Sequence, residues 1–173
     1  VFVDFLKQEG REDEANKLIL TIPMTKEEID EIIDKGKNLN ILYANQKLTP
    51  EQIDRAIDKG IALDVLYEKQ KHMSPENIDH AIEKGIDLSS LYLHYKTLTP
   101  EQIDKAIDKG IDLDILYRYQ KNLTSKQIDK AMDKGEDLDS LYANQTLTPK
   151  QIDKAIDKGI ALEVLYKHHY QHF

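Results

Sequence analysis

Pairs of carboxylates four residues apart are the part of this sequence whose residue types and spacing come nearest to catalytic chemistry. Asp54 and Asp58 form one pair, and Asp104 and Asp108 form another. Two carboxylates on one helical face can bind a divalent cation or take part in acid–base catalysis. A basic residue such as Lys105 lies between the carboxylates in most copies, so a solvent-exposed row of ion pairs explains the same residues. We expect no catalytic residue and no metal site in these rows.

A calcium loop and a histidine cluster are two further candidates. The stretch 108–114 brings Asp and Gly together, but an EF-hand loop needs Asp-x-Asp-x-Asp-Gly and a distant Glu. His168, His169 and His172 could share a helical face and bind a transition metal weakly, although a solvated tail is the preferred interpretation. No Gly-rich phosphate loop, Ser/His/Asp order or HExxH motif is present. The sequence therefore predicts a protein that is not an enzyme and has no cofactor.

Composition narrows the class of protein further. The 173 residues are 40% hydrophobic and 32% charged, which fits one soluble domain. The absence of cysteine excludes disulfides, thiolate zinc sites and cysteine nucleophiles. No apolar run approaches the roughly 18 residues of a membrane span, and no secretory signal leads the chain. We expect a cytoplasmic protein that does not bind membranes.

Six copies of one phrase fill most of the chain. The fourth copy reads Leu-Thr-Pro-Glu-Gln-Ile-Asp-Lys-Ala-Ile-Asp-Lys-Gly-Ile-Asp-Leu-Asp-Ile-Leu-Tyr over residues 98–117, and the copies are spaced by 24, 25, 25, 25 and 24 residues. We number these copies repeats 1 to 6. Their Ile-Asp anchors are Ile29, Ile53, Ile78, Ile103, Ile128 and Ile152. A loop between copies absorbs the one-residue difference, so the helices keep their register.

Each repeat predicts two short helices. In repeat 2, Thr49 is an N-cap, Gln52 completes a capping box, and Gly60 ends the helix in a left-handed conformation. In repeat 4, Asp112 is the expected N-cap of a second helix whose apolar stripe includes Tyr117. The predicted lengths are roughly ten and nine residues, and isolated helices this short are marginal in water. Stacking of neighbouring repeats must therefore provide most of the stability.

The expected fold is all-α: a right-handed α-solenoid of six helix-turn-helix repeats. Residues 22–173 form the repeats as one continuous domain, and residues 1–21 form an N-terminal helical cap. The segment from Tyr166 to Phe173 is not an obviously polar cap. Because solenoid ends need caps, we expect either further chain after Phe173 or a homo-oligomer formed through the ends.

Two residue types occupy the same place in every repeat, and we assign them to the frame. The glycines are helix stops, and the tyrosines belong to the core between repeats, with the hydroxyl reaching a polar edge. These residues are Gly36, Gly60, Gly85, Gly110, Gly135 and Gly159, and Tyr43, Tyr67, Tyr92, Tyr117, Tyr142 and Tyr166.

The positions just after the repeated Leu-Tyr vary most, and they are free to recognise a partner. Several are of types enriched at interface hot spots, notably Tyr95, Tyr119 and Arg118. The alternative is ordinary surface drift between copies. The candidate partner-binding residues are Lys69, His94, Tyr95, Arg118, Tyr119 and Asn144. The leading hypothesis is a scaffold that binds another protein along one face.

The net charge of −8 raises a second hypothesis, an acidic mimic of nucleic acid that occupies a DNA- or RNA-binding protein. Residues 1–35 carry ten acidic and five basic side chains, whereas residues 36–173 carry 22 and 19. A mimic needs a dense acidic surface, which the nearly balanced repeats provide only if the fold separates the two signs. Direct binding of nucleic acid by an acidic chain is not expected.

The Thr-Pro-Glu-Gln-Ile-Asp-Lys-Ala-Ile-Asp-Lys-Gly phrase resembles the short helical-hairpin repeats of α-solenoid proteins over about residues 22–166. It does not match the tetratricopeptide pattern, which is longer and has different aromatic positions. The near-identical copies also look like uncharacterised tandem-repeat proteins of bacteriophages. That resemblance implies a virus-encoded binding protein in the host cytoplasm, such as an inhibitor of a host defence component.

Overall fold

The computed structural model describes residues 2–173, and this part of the chain contains fourteen α-helices, one short 3₁₀ turn and no strand. The helices are α1 Phe2–Gln8, α2 Glu12–Ile19, α3 Lys26–Lys35, α4 Leu39–Asn45, α5 Pro50–Lys59, α6 Leu63–Lys69, α7 Pro75–Lys84, α8 Leu88–His94, α9 Pro100–Lys109, α10 Leu113–Tyr119, α11 Ser125–Lys134, α12 Leu138–Asn144, α13 Pro149–Lys158 and α14 Leu162–His169. The 3₁₀ turn spans Tyr170–His172. The all-α prediction is confirmed.

The chain divides into two compact units. The N-terminal unit ends at Ile86 and contains α1 to α7, and the C-terminal unit runs from Asp87 to Phe173 and contains α8 to α14. Within each unit, a helix contacts both its partner in the same repeat and the equivalent helix of the next repeat. Examples are α3 with α5 and α4 with α6 in the first unit, and α10 with α12 in the second. This pattern of contacts is that of a helical repeat.

The first helix of every repeat is fixed at both ends by local sequence. A Thr or Ser at the N-cap accepts from the backbone N–H three residues later, and the Glu, Gln or Asn at that position accepts from the N-cap N–H. Each helix is ten residues long and ends at a glycine with φ between 68° and 77°. A left-handed residue at this point stops the helix and turns the chain into the second helix.

The second helices differ from the sequence prediction in length and capping. They are seven residues long, or eight in α14, rather than nine. The residue before each is left-handed although it is not glycine, and its side chain does not cap its own helix. Asp112 instead accepts through Oδ2 from the backbone N–H of Ser89, 3.0 Å away at the start of α8. Asp112, the expected N-cap of its own helix, therefore binds the preceding repeat. The sequence of a single hairpin does not indicate this contact.

The core lies where equivalent helices of neighbouring repeats meet. Tyr43, Tyr67, Tyr92, Tyr117 and Tyr142 are at most 1% exposed. The prediction that these tyrosines reach a polar edge is wrong, because the hydroxyls of Tyr43, Tyr92, Tyr117 and Tyr142 are buried and have no hydrogen-bond partner within residues 2–173. Burial raises the pKa of the Tyr43 hydroxyl well above its usual value. Tyr166 differs from the other five, since it is 60% exposed within residues 2–173.

The first two helices form the expected helical pair before repeat 1. Leu6 and Ala15 are buried between α1 and α2, and Leu20 is buried just after α2. Phe2 and Phe5 stack on each other with ring centroids 6.1 Å apart but remain exposed. The apolar side of this helical pair is therefore only partly buried within the described residues.

The left-handed residues before the second helices give a test of backbone strain. Ala62 has φ 53°, where a side chain costs roughly 1–2 kcal/mol, so Ala62→Gly should raise the free energy of unfolding by about 0.5 to 1 kcal/mol. Gly135→Ala should lower it by about 1 kcal/mol, because a Cβ there meets nothing within 4 Å and only the φ of 77° is strained. Denaturant titration measures both changes. Changes of the same sign would show that strain is not their cause.

The buried hydroxyl of Tyr117 gives a second test. Tyr117→Phe should leave the free energy of unfolding unchanged or raise it by up to about 1 kcal/mol, because the substitution removes a desolvated donor with no partner. Tyr117→Ala should lower it by about 3 to 5 kcal/mol, the cost of emptying a buried aromatic site. A loss of about 1 kcal/mol or more for the Phe variant, measured by denaturant titration, would mean that the hydroxyl makes a hydrogen bond.

Candidate protein-binding surface

Most of the paired carboxylates of the first helices bind a side chain of the next repeat in the same unit. Asp58 binds His80 at 2.9 Å and Lys84 at 2.8 Å, and Asp133 binds Lys154 at 2.6 Å. These pairs hold the pKa of the Asp58 and Asp133 carboxyls below the usual value. The ion pairs mostly link neighbouring first helices rather than run along one helix. The carboxylate rows are therefore part of the contact between repeats.

The other carboxylate of three pairs, Asp30, Asp54 and Asp129, accepts from the side-chain amide of the next repeat's capping box. Asn77 Nδ2 donates to Asp54 Oδ1 at 2.7 Å and to the Pro50 carbonyl at 2.9 Å. Gln151 Nε2 likewise donates to Asp129 Oδ1 at 3.0 Å. One amide thus caps its own helix through its oxygen and binds the preceding repeat through its nitrogen. Within residues 2–173, no group of three or more His, Asp or Glu side chains could hold a metal ion.

A second row of buried amides joins the second helices. Gln70 Nε2 donates to the carbonyls of Tyr43 and Gln46 at 2.7 and 2.8 Å, and Gln145 Nε2 donates to those of Tyr117 and Gln120 at the same distances. These carbonyls lie at the C-terminal ends of the preceding second helices, where backbone acceptors lack partners in the helix. The row, which we call the glutamine ladder, comprises Gln46, Gln70, Gln120 and Gln145.

Tyr95 interrupts the glutamine ladder. It follows α8 in the position that glutamine holds in four other repeats, and its side chain is half-buried. A tyrosine hydroxyl has one hydrogen to donate, whereas the glutamine amide has two. Gln120 Nε2, in the next repeat, donates only to the Tyr95 carbonyl within the C-terminal unit, at 2.8 Å. Repeat 3 therefore has a tyrosine at the position of a ladder glutamine.

Large side chains are exposed beside this interruption. Leu93 and Arg118 occupy equivalent positions on the contacting helices α8 and α10, and both are exposed. The ammonium group of Lys96 lies 5.2 Å from the centre of the Tyr119 ring, which is cation–π distance. We call the surface formed by Leu93, Tyr95, Lys96, Arg118 and Tyr119 the tyrosine patch.

The remaining predicted partner-binding residues lie in different settings. His94 is half-buried at the end of α8, beside the tyrosine patch. Asn144 is occupied by its own helix, since its amide nitrogen donates to the Ser140 carbonyl at 2.8 Å, and its oxygen accepts from Lys121 at 3.3 Å. Lys69 belongs to the N-terminal unit, where it pairs with Glu68 and lines a groove of about 480 Å³. The tyrosine patch therefore unites four of the six predicted residues if His94 is counted at its edge.

The C-terminal histidines do not converge. His169 is buried, and its Nε2 lies 2.8 Å from the Tyr142 carbonyl, which is the bond that a ladder glutamine makes in earlier repeats. His168 and His172 are exposed. His169 is therefore part of the contact between repeats, and the three histidines do not come together as a transition-metal site requires.

No family model, curated protein or solved structure shows significant similarity to the chain. Within the described residues, no helix is both long enough and apolar enough to cross a membrane.

The sequence analysis missed the glutamine ladder, and its candidate partner-binding residues do not include two members of the tyrosine patch, Leu93 and Lys96. Gln46, Gln70 and Gln120 recur three residues after the core tyrosines, and that recurrence was the available signal for a structural role. Lys96 lies in the loop after α8, outside the helical pattern on which the search for partner-binding residues depended. Lys96 lies over the Tyr119 ring because repeats 3 and 4 are in contact there, and the sequence alone does not indicate that contact.

Acidic residues cluster near the left-handed turn of repeat 5 and predict a pH effect. Partial removal from water, followed by the charges of Asp114, Glu136 and Asp112, raises the pKa of the Asp137 carboxyl. The ionised form therefore disfavours the folded state at neutral pH, and this penalty disappears as the pH falls through the raised folded-state pKa.

Asp137→Asn should accordingly raise the free energy of unfolding at neutral pH by a few tenths of a kcal/mol, because Asn keeps an oxygen for the Asp114 N–H. The gain should shrink at about pH 3, where the wild-type carboxyl is protonated, and also in high salt. Urea titrations at both pH values measure it. A less stable variant at neutral pH would mean that the attraction of Asp137 to the N-terminus of α10 outweighs the repulsion.

Proposed function

We propose that this chain is a non-enzymatic scaffold, a right-handed α-solenoid of six repeats, that binds another protein through the tyrosine patch. The observation that carries the proposal is the exchange of a buried ladder glutamine for Tyr95. The frame can be built with glutamine at this position, as Gln70 and Gln145 demonstrate. A half-buried tyrosine beside exposed Leu93 and Arg118 adds apolar contact area to the surface instead.

The chemistry of the patch supports a protein partner. Tyrosine and arginine are enriched at binding hot spots, because their large side chains combine apolar area with a polar group. Tyr119 is already held by Lys96, so it loses little side-chain freedom on binding. A partner with an apolar centre and an acidic rim fits Arg118 and Lys96.

The competing hypothesis of a nucleic-acid mimic has less support. A mimic must present carboxylates without counter-charges, but Asp58, Asp108 and Asp133 each bind a basic residue of the next repeat. Salt separates the two hypotheses. Binding by a mimic should weaken steeply as ionic strength rises, whereas binding centred on Tyr95 and Tyr119 should change little.

The test begins with capture of the partner from an extract of the source cell by the tagged chain. Tyr119→Ala should then weaken the purified complex by about 30-fold or more, which corresponds to about 2 kcal/mol. The matched control is Asn45→Ala, at the equivalent position of repeat 1 and outside the patch, which should leave affinity unchanged. Equal losses for the two variants, measured by calorimetry, would overturn the assignment of the patch.

Tyr95→Gln separates function from folding. The substitution places the ladder residue of four other repeats at this position and should leave the melting temperature within a few degrees of the wild-type value, the shift that about 1 kcal/mol produces in a domain of this size. The same substitution should weaken partner binding by about tenfold or more, because it removes a hot-spot ring. A less stable variant would show that Tyr95 is required by the frame, and unchanged affinity would show that it is not part of the binding surface.

A further inference from the structure

Within each unit, the contacts between first helices of neighbouring repeats have a donor side and an acceptor side. The first helix of the later repeat supplies an amide and a basic side chain, as Gln52 and Arg55 do in repeat 2. The preceding repeat supplies a backbone carbonyl and two carboxylates, as Lys26, Asp30 and Asp34 do in repeat 1. The same division holds between repeats 5 and 6, where Gln151 and Lys154 are the donors.

Repeat 6 presents the complete acceptor side to solvent. Asp153 and Asp157 occupy the two acceptor positions, and no side chain within residues 2–173 donates to either. The apolar residues between them are also uncovered. Ile156, Leu162 and Tyr166 are 41%, 44% and 60% exposed, whereas the equivalent Ile107, Leu113 and Tyr117 are each 0% exposed. We call this surface, formed by Asp153, Ile156, Asp157, Leu162 and Tyr166, the terminal face.

A second copy of this chain does not supply the matching donors. Repeat 1 has Glu28 where later repeats have Gln or Asn, and Glu31 where they have Arg, His or Lys. Stacking repeat 1 on a terminal face would place these carboxylates against Asp153 and Asp157. The helical pair α1 and α2 also precedes repeat 1, and the Leu20 carbonyl already accepts from Gln46 at 2.8 Å. Head-to-tail association of identical copies is therefore disfavoured by charge.

We propose that the terminal face is a docking site for a helical hairpin with the signature of the internal repeats, namely Gln or Asn at the third helical position and a basic residue three positions later. The hairpin would donate its amide to Asp153 and the Pro149 carbonyl, and its basic side chain to Asp157. It would cover Ile156, Leu162 and Tyr166 with its own Ile and Leu residues. This inference concerns a different surface from the tyrosine patch, so either can fail without the other.

The experiment attaches the donor to the intact chain. A copy of residues 98–120 is joined after Phe173 through a flexible Gly/Ser linker of about twenty residues, which gives an effective concentration of about millimolar. If the copy docks, circular dichroism should show the additional helix of one repeat, ten and seven residues. Hydrogen exchange at the backbone amides of Leu162–His169 should slow by about tenfold or more.

The matched control carries Gln102→Glu and Lys105→Glu in the attached copy only. Glu28 shows that a glutamate at the first of these positions still forms the capping box, so the control changes the contact between repeats rather than the hairpin. It should gain neither helix nor exchange protection. Asp153→Asn with Asp157→Lys in the host chain should restore both effects to the control copy, since the donor and acceptor sides are then exchanged.

Three outcomes would overturn the proposal. The unmodified copy could remain unfolded, or the control copy could dock equally well, which would mean that apolar burial alone decides the contact. The native chain could also sediment as a dimer that Tyr166→Arg converts to a monomer. That result would identify a second copy as the occupant of the terminal face.

Discussion

Short helices cannot satisfy their own ends, and in this protein a side chain from the next repeat completes them. A seven-residue helix such as α10 leaves more backbone groups without helical partners than it pairs. Gln145 binds two of the free carbonyls at the end of the second helix of repeat 4, and Gln70 binds the equivalent carbonyls of repeat 1. An unmet buried acceptor costs about 1–3 kcal/mol. The folding of each hairpin is therefore coupled to that of its neighbour through hydrogen bonds as well as through apolar burial.

The sequence predicts the features that depend on one repeat alone. The capping boxes, such as Thr49 with Gln52, and the left-handed glycine stops follow from local backbone chemistry. The sequence does not predict a partner outside the hairpin for a residue that has an evident role within it. Gln52 completes a capping box and Asp112 is expected to cap its own helix, so nothing in the sequence indicates that both side chains bind the preceding repeat. The burial of the tyrosine hydroxyls also depends on contacts between repeats, so the sequence of one repeat does not predict it.

The candidate site could be found in part because the repeats differ there. Tyr95, Arg118 and Tyr119 are recognisable as departures from the shared phrase, and the structure places them on one surface of the C-terminal unit. Asn144 was included on the same grounds, but its side chain serves its own helix. Sequence variation between repeats thus identifies positions that the repeat structure does not require to be constant. The contacts in the structure are needed to exclude those variable residues, such as Asn144, whose side chains have a structural role.

The donor and acceptor sides of each repeat also bear on how such a gene can change. Because Gln151 meets repeat 5 as Gln52 meets repeat 1, removal or duplication of one whole copy by recombination between the near-identical segments would rejoin matching sides. The protein could then lengthen or shorten by steps of 24 or 25 residues without a new interface having to be found. A break inside a copy would separate an N-cap from its glutamine. The contacts between repeats therefore tolerate a change in the number of whole repeats, but they are disrupted by an insertion or deletion that breaks a repeat internally.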